Sequence, residues 1–186
     1  MLLQVRSMSR GESKLSRGLM KATFYLIVIA SSILAAATAF ASEKLVVGWL
    51  EKARIFPGGF RLSAKIDTGA DNSSLSVQDL TWFQREGEEW VRFVVIDEAG
   101  RQHKLEKKLV RLARIKRHSA ARQERAVALL GICVGAIYRE VEVNLVDRSK
   151  FKYPLLVGRS FLSGALTVDP SKTFSVEPEC PGAPVE

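Results

Sequence analysis

The sequence predicts an all-β domain, a closed barrel or sandwich with a single lobe, and two observations support this class. Short apolar runs rich in Val and Ile follow one another, separated by turn signals such as Pro57-Gly58-Gly59 and Asp97-Glu98-Ala99-Gly100. The composition is globular, with 47% apolar and 26% charged residues in a chain of 186. These values exclude a wholly disordered chain, and the length fits one domain with a short appendage.

The strands are predicted in chain order from these runs. The first two flank the Pro57 turn, and the next pair forms a hairpin around Asp97. A short helix is predicted after Gly158, where an apolar run ends. The predicted strands are Lys44–Leu50, Phe60–Ile66, Trp90–Ile96, His103–Val110, Ala126–Ile137, Arg139–Val146, Tyr153–Val157, Leu166–Val168 and Thr173–Val176.

One stretch is ambiguous. Leu105, Leu109, Leu112 and Lys116 recur at helical spacing, so residues 105–117 fit either strands or an amphipathic basic helix.

The N-terminal segment, residues 1–41, has the pattern of a secretory signal. Basic residues precede an almost wholly apolar run, Phe24–Ala39, which ends at Ala39-Phe40-Ala41. A start at Met20 would give a signal of more ordinary length. The alternative is an uncleaved membrane anchor, because the apolar stretch is just long enough to span a bilayer. Either way we expect an exported domain, residues 42–176, in the periplasm or anchored to the inner membrane.

Charge and residue counts exclude several function classes. The formal net charge is +8, and residues 101–125 hold ten Lys and Arg against two Glu. Such a stretch is a solvated face or binds an anionic envelope surface; export and the absence of interleaved aromatic residues disfavour nucleic acid. Two His and two Cys, far apart, exclude most zinc sites, and no phosphate-binding glycine loop is present. No metal or cofactor is therefore predicted.

The two cysteines leave the question of a disulfide open. Cys133 lies in an apolar run and Cys180 in the Pro-rich tail, residues 177–186, which is predicted to be disordered. An oxidising compartment would permit a bridge between them, but the spacing does not decide it.

Two segments contain the candidate catalytic and site residues. In the first, Asp67 comes directly after a predicted strand and is followed by Thr68-Gly69 and then by Ala70-Asp71. In the second, the apolar run Tyr153–Val157 leads into Gly158-Arg159. Alone, D-T-G is a common surface-turn tripeptide, but the two segments together are more specific.

Together these motifs resemble the retropepsin-like aspartic proteases. The longer pattern is similar to one bacterial branch, RimK/LysX-like and labelled "ATP-dependent zinc protease", although no motif for ATP or for zinc is present. That pattern is G-W-x-E (Gly48, Trp49, Glu51), I-D-T-G-A, V-E-V-N-L-x-D-R (Val141–Arg148) and Y-P-L-L-x-G-R-x-F-L.

The resemblance implies a fold in which the D-T-G loop lies beside the apolar-apolar-Gly strand. It further implies a homodimer that cleaves a polypeptide with two Asp67 carboxylates, because two close carboxylates share one proton and one chain supplies a single D-T-G. Thr68 would join the two loops and Gly69 would admit the substrate backbone. Ala70 and Asp71 would border the substrate, with Asp71 paired to Arg159 next to Gly158.

Alternatives remain for these residues. In one alternative, Asp67 is a turn acid without a catalytic role, in a module that holds an acidic partner on residues 101–125. In another, Asp67 and Asp71 are metal ligands. Asp147 and Arg148 form either an ordinary loop ion pair or a functional pair near the site. Glu51 is either a solvated strand-end acid or a structural residue.

Overall fold

Eleven β-strands and one helical turn form the part of the chain that the computed structural model describes, residues 43–117 and 120–184. In chain order they are β1 (Leu45–Phe56), β2 (Phe60–Ile66), β3 (Ser73–Ser76), β4 (Gln78–Arg85), β5 (Glu88–Ile96), β6 (Gln102–Lys108), β7 (Arg111–Arg117), β8 (Ala120–Val134), β9 (Ile137–Val146), β10 (Leu155–Val157), α1 (Arg159–Leu162) and β11 (Leu166–Thr173).

Six of these strands close a barrel in the order β1-β2-β10-β3-β9-β8. The two ends of this sheet meet because the last residues of β1 pair with β8, as in Arg54 opposite Cys133. β11 adds to β1 on one side and β7 to β8 on the other. The closed barrel and the single short helix after Gly158 confirm the predicted fold class.

The core follows from the two-residue period of the strands. In β2, Leu62, Ala64 and Ile66 are buried while Lys65 between them is exposed. Alternation of this kind places one face of each strand inside the barrel and the other in solvent or under a second layer. The α1 side chains Phe161 and Leu162 are buried against the same core.

A separate three-stranded sheet, β4-β5-β6, docks on the barrel through the turn between β5 and β6. The ring of His103 stacks on Phe60 of β2 at a centroid distance of 4.1 Å. Glu98 accepts hydrogen bonds from Lys52 (2.5 Å) and from the Ser63 hydroxyl (2.6 Å). The ambiguous stretch forms strands and not a helix: residues 105–108 belong to β6 and residues 111–117 to β7.

The sequence prediction missed β3 and β4 altogether. β3 reads Ser-Ser-Leu-Ser, without the β-branched residues that identify a strand. Ser73 and Ser74 are nevertheless buried, because their hydroxyls have hydrogen-bond partners: the Ser73 hydroxyl accepts the Gly158 N–H at 3.2 Å and that of Ser74 accepts a hydrogen bond from Arg148 at 2.9 Å. Hydrogen-bonded hydroxyl groups thus allow this strand to be buried without the Val and Ile side chains that are usual in a buried strand.

The C-terminal segment differs from the predicted disordered tail. A disulfide joins Cys180 to Cys133 on β8. Glu177 pairs with Arg61 at 2.7 Å, and the Glu179 N–H donates to the carbonyl of Gly135. These contacts, spaced along the chain, hold residues 177–180 against the barrel.

The G-W-x-E pattern has a structural role in the same region. Glu51 is fully buried, and its carboxylate accepts the N–H of Gly48 (2.6 Å), the Ser175 hydroxyl (2.5 Å) and the N–H of Val176 (3.2 Å). A Cβ at Gly48 would lie 2.3 Å from the carbonyl oxygen of Lys172, so β11 can approach only a glycine. The interpretation of Glu51 as a solvated acid is therefore wrong.

Within the described residues no helix is long and apolar enough to cross a bilayer. The predicted signal or anchor, residues 1–41, lies outside them.

Candidate active site

The first half of the site is the turn that follows β2. The N–H of Asp67 donates to the carbonyl of Val157 at 2.9 Å, and this hydrogen bond holds the backbone of Asp67 against the end of β10. Its Oδ1 accepts the N–H of Gly69 at 2.9 Å, a side-chain-to-backbone turn typical of Asp. The loop tip, Thr68 and Gly69, is exposed. Asp67 therefore has a fixed backbone and a second carboxylate oxygen left for other partners.

The second half of the site is the turn from β10 into α1. β10 runs parallel to β2, with Val157 opposite Ile66, so both strands end at the same edge of the sheet. The N–H of Arg159 donates to the carbonyl of Ala70, and that of Ser160 to Asp71, each at 2.9 Å. A Cβ at Gly158 would lie 2.7 Å from the carbonyl carbon and oxygen of Asn72. The D-T-G loop thus lies beside the apolar-apolar-Gly strand, as the resemblance implied.

Arg159 connects these two turns through its side chain. Its guanidinium forms an ion pair with Asp71 and also donates to the carbonyls of Thr68 (3.0 Å) and Gly69 (2.9 Å). The predicted Asp71–Arg159 pair is therefore present. The pair is largely exposed in the single chain, so its charge contributes little stability by itself. Its clearest effect is to hold the carbonyls of the D-T-G loop in one orientation.

Positive charge surrounds Asp67. The Lys65 ammonium lies 3.7 Å from Oδ2 of Asp67. Asp67 and Asp71 each face a cation, which is the opposite of what a bound metal ion would need. Among the residues that the structure describes, no group of three or more His, Cys, Asp or Glu side chains could hold a metal ion.

Arg148 is a site residue to which the sequence assigned no defined role. It is 9% exposed, and its guanidinium donates to the Ser74 hydroxyl (2.9 Å) and to the carbonyl of Tyr153 (3.3 Å). Burial and the neighbouring charge of Arg125 lower the pKa of Arg148, while the negative charge of Asp67 raises it in part. Arg148 is therefore a desolvated cation within electrostatic range of the candidate catalytic acid.

Asp147 and Arg148 point to different partners, so the interpretation of a loop ion pair is wrong. Asp147 accepts the N–H of Ser149 at 2.8 Å, and this hydrogen bond lowers the pKa of Asp147. Next to this loop opens a cavity of about 560 Å³, bordered by the start of β4, by β8 and by the residues on both sides of Arg148. The D-R pair at the end of V-E-V-N-L-x-D-R was the available signal for this part of the site.

Comparison with known proteins agrees with the geometry. Residues 46–179 match the model of a family described as RimB-like, "Retropepsin-like aspartic endopeptidase RimB". A crystal structure of Lpg0085 from Legionella pneumophila, a protein of unknown function (DUF785), is 34% identical. It aligns over 73% of this chain and 100% of its own, with a TM-score of 0.62.

Curated relatives carry a different kind of name. Proteins called "Probable alpha-L-glutamate ligase" are 33% identical in Shewanella pealeana and 32% in Shewanella halifaxensis, each over 116 residues and 61% of this chain. The matched segment is 25% of each relative, so the chain spans about a quarter of their length.

Proposed function

This chain belongs to the RimB-like family of retropepsin-like aspartic endopeptidases, and from that premise we propose that it hydrolyses peptide bonds as a homodimer. The observation that carries the proposal is the geometry of the Asp67 turn. Its backbone is hydrogen-bonded to Val157, and it lies next to Gly158 and Arg159. This arrangement leaves Oδ2 of Asp67 free of hydrogen bonds from its own loop and presents Thr68 and Gly69 to solvent.

The chemistry requires a base that takes a proton from water and an acid that protonates the carbonyl oxygen. Two carboxylates a few ångströms apart share one proton, so the ionised carboxylate is the base and the protonated one is the acid. One chain supplies a single D-T-G, so the second Asp67 comes from another copy across a two-fold axis. The exposed Thr68 then lies where the two loops would meet.

The remaining site residues bind the substrate or hold the D-T-G loop in position. Gly69 and Ala70 are small and leave room for the main chain of an extended polypeptide. Asp71 and Arg159 hold the loop, and Gly158 permits the close approach of the two turns. None of these residues transfers a proton in this mechanism.

The ligase name of the curated relatives does not change the proposed reaction. It belongs to proteins of which the matched segment is 25%. The residues of this domain support hydrolysis.

We further propose that the domain works outside the cytoplasm. The disulfide between Cys133 and Cys180 supports this location, because such bonds persist mainly in oxidising compartments. The pattern of residues 1–41 points the same way.

The test compares the wild-type chain with Asp67→Asn for cleavage of an unfolded protein between pH 4 and 8. We expect loss of at least about a thousandfold in rate, as for removal of an essential acid–base group. Glu89→Gln, which removes an exposed carboxylate from the three-stranded sheet, should cleave like the wild type. Cleavage that persists undiminished in Asp67→Asn would refute the mechanism.

The alternative is a non-catalytic module that binds an acidic envelope partner on residues 101–125. Within the described part of this stretch, basic residues already pair with carboxylates: Arg101 with Asp97, Lys108 with Glu88, Arg111 with Glu142 and Arg114 with Glu124. This pairing supports a solvated face rather than a binding site. Charge reversal at Lys107, Lys108 and Arg111 would abolish the function of a binding module, whereas Asp67→Asn would not.

A further inference from the structure

The C-terminal strap, residues 174–180, is the segment that follows β11 and lies against β1 and the turn after β8. At its start, the N–H of Phe174 donates to the carbonyl of Leu50 at 2.7 Å. At its end, Cys180 is bonded to Cys133 of β8. Phe174 has a φ of 50°, in the left-handed region that a bulky side chain disfavours. The strap is therefore attached at both ends, and its first residue carries backbone strain.

Between its ends the strap has mostly surface contacts with the barrel. Glu177 pairs with Arg61, but both side chains are exposed, so the ion pair contributes little stability. Arg54 donates a hydrogen bond to the carbonyl of Pro178 at 3.1 Å. Pro178 is buried, whereas the rest of the strap is exposed or half-buried. Polar contacts at the surface exchange readily for contacts with water. The disulfide is therefore the strongest attachment of the strap.

The strap covers a buried acid of β1. Glu51 is fully buried, and its carboxylate accepts the Ser175 hydroxyl (2.5 Å) and the N–H of Val176 (3.2 Å) from the strap. Its own strand supplies the N–H of Gly48 at 2.6 Å. A carboxylate that loses hydrogen-bond donors is costly to keep buried. Release of the strap should therefore bring Glu51 into contact with water and loosen β1 around it.

β1 connects the strap to the candidate active site. Leu50, which accepts the first hydrogen bond of the strap, lies opposite Lys65 of β2. The Lys65 ammonium lies 3.7 Å from the carboxylate of Asp67. Glu51 lies opposite Ala64 of the same strand. The part of β1 that the strap holds is thus paired with the part of β2 that leads into the Asp67 turn.

We propose that the disulfide between Cys133 and Cys180 is a redox clasp on the active site. In the oxidised chain the strap holds β1 and the site is active; reduction releases the strap from Glu51 and lowers the activity. The chain would then gain activity only in a compartment where the bond forms. The part of this inference that concerns activity rests on the proposed function.

The reduction is a thiol–disulfide exchange with an external dithiol. Cys180 is partly exposed and Cys133 is fully buried, so a thiolate of the dithiol attacks the sulfur of Cys180 and releases Cys133. The second thiol of the reagent then displaces Cys180. The two cysteines gain two electrons and two protons, and the dithiol is oxidised to its own disulfide.

The experiment compares the full chain in its oxidised form and after treatment with dithiothreitol. The chain contains two cysteines, both in this bond, so the reductant has no other disulfide to reduce in it. On reduction, we expect faster hydrogen exchange in the strap and in residues 48–51, while β9 stays protected. Cleavage of an unfolded protein should fall at least about fivefold and return after reoxidation with glutathione disulfide.

The pattern of exchange separates a clasp from a general staple. Faster exchange in every strand on reduction would show that the bond supports the whole barrel, and it would overturn the inference. Unchanged exchange in the strap would overturn it as well. Cys180→Ser should exchange and cleave like the reduced wild type, and dithiothreitol should not change it further.

A second variant tests the strap without altering the disulfide. Ser175→Ala removes the hydroxyl that donates to Glu51, so in the oxidised chain it should speed exchange in the strap and lower cleavage by less than reduction does. Ser171→Ala is the matched control, because this hydroxyl donates to Asp169 within β11. It should leave both measurements at the wild-type level. Equal behaviour of the two variants would contradict the link between strap and site.

Hydrogen exchange also distinguishes this inference from the proposed function, because it requires no substrate. If the oxidised chain cleaves nothing and reduction still releases the strap, the peptidase proposal fails and the release of the strap is supported. If the oxidised and reduced chains cleave at the same rate, the peptidase proposal stands and the control of activity by the disulfide is refuted.

Discussion

At the scale of single residues, the site depends on how closely two backbones approach. Gly158 and Gly69 are the two glycines of the motifs, and a Cβ would meet a neighbour at 2.7 Å at the first and at 3.2 Å at the second. The tight contact at Gly158 is with the main chain of Asn72, which cannot rotate away as a side chain could. The close approach at Gly158 therefore requires the absence of a side chain, and Arg159 supplies the polar contacts.

Substitution of Gly158 tests this close approach. Gly158→Ala should lower the free energy of unfolding by about 1–3 kcal/mol, the usual cost of forcing an extra group into a packed region. It should also impair cleavage, because the hydrogen bonds from residues 159 and 160 fix Ala70 and Asp71. Urea denaturation gives the stability change. Gly182→Ala, where the added Cβ meets nothing within 4 Å, is the matched control. Equal stability of the two variants would contradict the packing argument.

At the scale of strands, the sequence predicted the elements whose apolar residues alternate. β2, β5, β9 and β10 were found because each carries Val, Ile or Leu in a recognisable run. The placement of D-T-G beside G-R was also predictable, because the two motifs together resemble the retropepsin-like proteases, in which they lie side by side. β3 was not predictable, because its burial depends on hydrogen bonds to residues 74 and 85 positions away along the chain. The contacts of Arg148 with Ser74 and Tyr153 were hidden for the same reason.

The three-stranded sheet owes its attachment to a buried carboxylate at the β5–β6 turn. Asp97 accepts hydrogen bonds from the backbone of Ala99 and Arg101, and from the side chains of Arg101 and His103. These contacts, above all the hydrogen bond from His103, hold the pKa of Asp97 well below its usual range. His103 in turn stacks on Phe60 of the barrel, so this carboxylate orients the ring that joins the two layers.

The pH dependence of stability should report on Asp97. A carboxyl whose pKa is lower in the folded than in the unfolded state stabilises the fold above the unfolded value, about 3.9, and loses that contribution as the pH falls further. We expect Asp97→Asn to lower the urea midpoint at pH 7, with the difference from the wild type shrinking progressively below about pH 4. Glu89→Gln should show no such convergence. A difference that stays constant from pH 7 to pH 2 would exclude the electrostatic explanation.

At the scale of the whole molecule, one chain is half of the proposed catalytic unit. The Asp67 turn is exposed at Thr68 and Gly69, and the described residues of one chain offer it no second D-T-G. If catalysis needs both carboxylates, activity belongs to the pair of chains and not to either member. The rate per chain then depends on chain concentration, because only paired chains are active. A site complete within one barrel would show no such dependence.

Mixed dimers test this dependence directly. Wild-type chain is unfolded together with excess Asp67→Asn and refolded, and cleavage is measured per wild-type chain. Random pairing leaves few wild-type pairs, so the specific activity should fall in proportion to the fraction of wild-type chain, to about a quarter at a threefold excess of the variant, because a pair with a single Asp67 lacks the second carboxylate. Refolding with the same excess of additional wild-type chain in place of the variant should leave the activity per wild-type chain at its full value. Activity per wild-type chain that is unaffected by the variant would mean that a single Asp67 suffices, and the dyad would have to be replaced by a mechanism within one chain.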